Sequence, residues 1–167
     1  SDWSSDVCSS DLELPSYLTG TQTGVKIWSP TAGAFQDLQV GTNNLAAASS
    51  FGPEGSLGHA LRDMANETVY LVKLGADGST LAPKIGTTND WCPPSLELYA
   101  DFLTRLDAAL GWLTSQTIVP HLEGIFIVLG QNDALEDTTS SLYEGYLKAL
   151  VQHLRNDASL RDLREMI

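Results

Sequence analysis

Two short apolar runs, TVYLVKL at residues 68–74 and GIFIVL at residues 124–129, bracket the longest amphipathic stretch of the chain, and this alternation limits the fold more than any other feature. Each run is β-branched and nearly continuous in hydrophobicity, the pattern of a strand buried on both faces of a parallel sheet. Between them Leu98, Phe102, Leu106, Ala109 and Leu113 recur at helical spacing, which predicts a helix over residues 95–116 starting at Ser95. After the second run, Tyr143, Leu147, Leu150 and Leu154 give a helix over residues 140–155 its buried face. Before the first run, Ser56 can cap a helix carrying Leu57, Leu61 and Met64 on one face, with Asn66 closing it. The expected fold class is α/β, a three-layer α/β/α sandwich around a parallel sheet.

The N-terminal third reads differently. Residues 13–50 are rich in Thr, Ser, Gly and Asn, with one apolar alternation at Val25, Lys26, Ile27 and Trp28, so a loop region holding one strand is expected there. Gly33 marks a turn before Phe35, and Gln36, Asp37, Leu38 and Gln39 lead into a second polar loop, GTNN, at residues 41–44.

The first twelve residues, SDWSSDVCSSDL, have no apolar periodicity and repeat the Ser-Ser-Asp triplet. Residues 2–12 look like the in-frame translation of a short-read sequencing adapter, so residues 1–12 are expected to be an artefact or a disordered tail, and residues 13–167 a partial domain whose true upstream sequence is missing. The full sequence of 167 residues has a formal net charge of -12 and a pI of about 4.3. Setting aside Asp2, Asp6 and Asp11 moves the charge only to about -9. A surface this acidic repels phosphate backbones and anionic lipid, so neither nucleic acid nor membrane is expected as a partner. Cys8 and Cys92 are too few for a disulfide framework and wrongly spaced for a zinc site.

In parallel sheets ligands sit outside the carboxyl ends of the strands, where two loops leave, residues 75–83 and residues 130–137. The second begins Gly130-Gln131-Asn132-Asp133, in which Gly130 permits close backbone approach and Asn132 can offer an amide to a developing oxyanion. Such sequences also make ordinary turns. The first loop has Gly75 and Gly78 but not the spacing, nor the Gly-Lys-Ser/Thr, of a phosphate loop. His59, His121 and His153 have no nucleophile or metal partner nearby in sequence and read as structural or surface residues. No metal or other cofactor is expected.

Taken in order, FGPEGSLGHAL, VYLVKLGADGSTLAP, a tryptophan-bearing loop with a long helix, and GIFIVLGQNDALEDTTSSLYEGYLKALVQHLR resemble successive blocks of the sialate O-acetylesterase domain, a branch of the SGNH hydrolases. GVKIWSPTAGAFQDLQVGTN upstream also fits. The resemblance covers residues 14–155 and implies an SGNH or flavodoxin-like sandwich that removes acetyl groups from sugar hydroxyls through a serine nucleophile, with no metal. The family's Gly-Gln-Ser-Asn nucleophile segment and Asp-x-x-His segment are both missing from the sequence; the first is expected before Glu13, the second beyond Ile167.

What carries over is the oxyanion side: Gly78, Gly130 and Asn132, with Gln131 and Asp133 in support. Asp77 stands where relatives have a second glycine, and Leu129 and Gln131 where they commonly have Gln and Glu, so either Asn132 or Gln131 is the side-chain donor. Glu54 and Trp91 are candidate substrate contacts, an acetylated carbohydrate the expected partner, and an extracellular or periplasmic setting follows from the family's habit of acting on glycans. Two other readings compete: a non-catalytic carbohydrate-binding relative using Trp28, Trp91 and Trp112, and a flavodoxin-like regulator, which the order of blocks disfavours.

Overall fold

A computed structural model of the chain describes residues 15–44, 52–83 and 89–157. The adapter-like stretch lies outside them. The chain divides into two compact units, Ser1–Asp77 and Gly78–Ile167.

In the first unit, β1 (Thr21–Ser29) is the centre of a three-stranded sheet ordered β2-β1-β3, flanked by β2 (Ala34–Gln39) and β3 (Val69–Leu71). β1 and β2 form an antiparallel hairpin, with Trp28 opposite Phe35 and their rings 5.2 Å apart. β3 runs parallel to β1, Val25 opposite Val69 and Ile27 opposite Leu71. The sheet is therefore mixed, where a parallel one was expected, because the polar stretch after Gly33 forms β2. Its only buried side chains, Phe35 and Leu38, are separated by two exposed residues, so no period-2 signal betrays the strand. Val25, Ile27, Leu38 and Val40 make the core, with Leu71 packed against them.

β3 is shorter than residues 68–74 and half-buried throughout, and among the described residues it pairs only with β1. Helix α1 (Glu54–Ala65) is capped by Pro53, not Ser56, and ends at Asn66 in the left-handed region. The expected face is also corrected: Met64 is 84% exposed and Leu61 exposed, while Glu54, Gly55 and Gly58 are buried. A Cβ on Gly58 would lie 2.6 Å from Val25 Cγ1, and one on Gly55 2.9 Å from Val40 Cγ2, so α1 meets the core through its glycines.

In the second unit, Pro93–Ser95 form a 3-10 turn and Leu96 adopts a positive φ of 58°, which delays α2 to Leu98–Ser115. Leu98, Leu106, Ala109 and Leu113 are buried along it as the spacing predicted, joined by Tyr99. Helix α3 (Asp137–Asn156) buries Leu150 and Leu154, and the ring of its His153 lies 6.1 Å from that of Tyr99. Residues 124–129 are not a strand. Burial alternates along them, but Phe126 is 63% and Val128 41% exposed and no ladder forms among the described residues. The described residues thus make a mixed α/β architecture of one three-stranded sheet and three α-helices.

Candidate functional site

The chemistry-bearing loops of the second unit are joined at one carboxylate. Asp133, fully buried, follows Asn132 at the start of a 3-10 turn, Asp133–Leu135. Its Oδ2 accepts from the Leu81 N–H at 2.9 Å, and its Oδ1 accepts from the N–H groups of Leu81 at 3.1 Å and Ala82 at 2.9 Å. A buried carboxylate is tolerated only where donors replace water, and these charge-assisted bonds do so. Beside it, the Asn132 amide donates to the carbonyl of Ser79, next to Gly78, at 3.1 Å. An NH2 group has two hydrogens, so this bond leaves Asn132 a second donor.

Both loops use backbone shapes that favour glycine. Gly78 has a φ of 67° and Gly130 of 113°, and a Cβ on Gly130 would stand 2.7 Å from Tyr143 Cε2. Tyr143 donates its hydroxyl to the Leu129 carbonyl at 3.0 Å, fixing the entry to the loop from α3. Burial, and secondly the charge of Asp133, push the Tyr143 phenol above its usual pKa. Thr139 adds a 2.6 Å bond from its hydroxyl to the Asp133 carbonyl. On the other flank, a parallel bridge pairs Thr80 with Asp90, and the Trp91 N–H donates to the Thr80 carbonyl at 2.9 Å. Gly78, Gly130, Asn132 and Asp133 are therefore gathered on one pair of loops. Gln131 is exposed.

Next to this pair lies a polar knot that the sequence did not announce. Asp90 is buried and accepts from the Cys92 N–H at 3.0 Å and from the Ser95 hydroxyl, while Glu97 accepts the Asp90 N–H. Burial pushes the neighbouring Cys92 thiol up, and Asp90 adds to the shift. Trp91 is half-buried, its ring 6.3 Å from Phe102.

Glu54 belongs to the first unit, in a buried network of its own. Its Oε1 accepts from the Asn44 amide at 2.7 Å and the Gly52 N–H at 3.0 Å, and its Oε2 lies 3.3 Å from Lys73 Nζ. The legible signal was Lys73: a cation inside an apolar run calls for a buried anion. Trp28 is 4% exposed against Phe35, which leaves no face for a sugar ring, and Trp112 is half-buried. His59 contacts Asp63 and Arg62, whereas His121 and His153 are exposed. Arg62 holds the Asp63 carboxyl below its usual range, chiefly through their hydrogen bond. No group of acidic, His or Cys side chains among the described residues has the arrangement of a metal site.

Residues 19–167 match the family model described as carbohydrate esterase, sialic acid-specific acetylesterase. The chain belongs to that family. No curated protein and no solved structure matches it. As a member of a carbohydrate esterase family the chain is of the hydrolase class.

Proposed function

We propose that the chain supplies the oxyanion-stabilising part of a serine-dependent carbohydrate O-acetylesterase acting on acetylated sialate or another acetylated glycan. The observation that carries this reading is the joining of the Gly78 loop to the Asn132 loop through the bond from the Leu81 N–H to Asp133, 52 residues away. In the reaction the histidine takes the serine hydroxyl proton as the serine oxygen attacks the acetyl carbonyl carbon, and the carbonyl electrons move onto the carbonyl oxygen. The Gly78 N–H and the free hydrogen of the Asn132 amide stabilise that oxyanion. Collapse expels the sugar oxygen, which takes a proton from the histidine, and water then hydrolyses the acetyl-serine. The complete domain is a three-layer α/β/α sandwich in this reading.

Neither a Gly-Gln-Ser-Asn nor an Asp-x-x-His segment occurs in the 167 residues. The 167-residue chain is accordingly expected to leave an aryl acetate unhydrolysed, whereas a longer product that carries these residues together with both segments is expected to hydrolyse the ester and to be silenced by a serine-directed phosphonate. Hydrolysis by the 167 residues alone, blocked by the phosphonate, would refute the division of labour. A full product that holds both segments yet binds acetylated sugar without cleaving it would favour the carbohydrate-binding alternative.

A further inference from the structure

We infer that Asp133 is a positioning residue of the proposed reaction, setting the separation of the Gly78 N–H and the Asn132 amide, and that it does not serve as the acid partner of the histidine. The inference rests on the esterase reading but makes a separate claim about one carboxylate. An acid that supports a histidine needs an oxygen free to accept from the ring. Here Asp133 is fully buried, so no imidazole reaches its oxygens, and those oxygens are turned toward the backbone N–H groups of Leu81 and Ala82.

The geometry instead suits a clamp. Leu81 follows Gly78 by three residues and Asp133 follows Asn132 by one, so bonds of 2.9 Å to Leu81 and Ala82 fix each donor relative to the other across 51 and 52 residues of chain. The Asn132–Ser79 bond acts in the same place but spends one amide hydrogen, whereas Asp133 ties the loops without using either donor. Thr139 holds the carbonyl of Asp133 from α3, so the clamp is anchored to a helix and not only to a loop. A misplacement of an oxyanion donor by a fraction of an ångström weakens the transition state more than the bound ester, because the charge develops only in the former.

The test is Asp133→Asn in the full gene product, with kinetics on an aryl acetate over a range of pH. The isosteric amide keeps one acceptor but turns an NH2 toward the clamped N–H groups. The expected result is a fall in kcat of about 100-fold with KM within about 3-fold of the parent. The pH limbs should stay where they are, and adding Asn132→Ala should cause little further loss, since both changes act on one donor. Hydrogen exchange at the Leu81 and Ala82 amides should quicken. Quickened exchange with unchanged kcat would overturn the inference and leave the esterase reading intact, as would a displaced acidic limb, which would mark Asp133 as the histidine's partner. An unsubstituted full product that cleaves no ester would remove the reading itself. If Asp133→Asn does not fold, Thr139→Val loosens the same clamp, with a fall in kcat of about 5-fold expected at unchanged KM; full activity there would equally overturn the inference.

Discussion

Residues 69–71 and residues 124–129 are the same kind of sequence with different fates. Both are apolar, β-branched and short. Val69, Tyr70 and Leu71 find a parallel partner in β1, and Tyr70 also packs edge-on against Phe35 at 5.0 Å. Residues 124–129 keep the alternating burial of a strand but form no ladder among the described residues, and Phe126 stays largely in water. Side-chain alternation is local, fixed by an extended backbone whether or not a neighbour exists. Pairing is not local: it needs a second edge of matching direction. An apolar run therefore announces where a strand can form, and only the rest of the sheet decides whether it does.

The sharpest way to break this comparison is to change one apolar side chain in each unit. Ile27 is fully buried, and Ile27→Ala should cost about 2–5 kcal/mol of stability, read as a lower urea midpoint. Val128→Thr, on the exposed side of residues 124–129, should stay within about 0.5 kcal/mol. Equal losses would mean that residues 124–129 are buried in a sheet in solution, contrary to the structure. Gly130→Ala comes next in size. It adds a methyl where φ is 113° and where the Tyr143 ring stands 2.7 Å away, so a loss of about 1–3 kcal/mol is expected. A neutral result in the same unfolding experiment would show that the Gly130 loop relaxes freely and does not seat Asn132.

The helices show why some of this was legible and some was not. The stripe from Leu98 to Leu113 announced α2, because burial there repeats at the helical period. Its start was misplaced by the left-handed Leu96, a conformation that a leucine does not advertise. For α1 two of the three apolar residues misled, since Leu61 and Met64 are exposed while Leu57 is half-buried, and helix and sheet approach too closely for anything larger than Gly58 at the contact. At the site, Gly130 and Asn132 stood out through their order after an apolar run. The role of Asp133 did not, because its partners are backbone N–H groups of Leu81 and Ala82, and any residue type presents those. Side-chain pattern carries no record of a bond made to the main chain at long range.

A loss smaller than that at Gly130 is expected at Tyr143, which ties the end of the unpaired run to α3 through the Leu129 carbonyl. Removing the hydroxyl by Tyr143→Phe should cost about 0.5–1.5 kcal/mol at neutral pH, the worth of one such bond. The pH dependence then separates this tether from simple packing. Burial, and then Asp133, raise the Tyr143 phenol above the 10.0 of a free tyrosine, as burial and then Asp157 raise Tyr99. A group whose folded pKa is raised stabilises the fold fully below its unfolded value and loses that contribution as pH climbs through the folded one. Stability should therefore be flat from neutral pH to about pH 10 as far as these two phenols are concerned, and decline above it. Tyr143→Phe should make that alkaline decline shallower while lowering the plateau. If the variant lowers the plateau but leaves the alkaline slope untouched, Tyr143 is not shielded in solution, and the run it anchors is held only by its flanks.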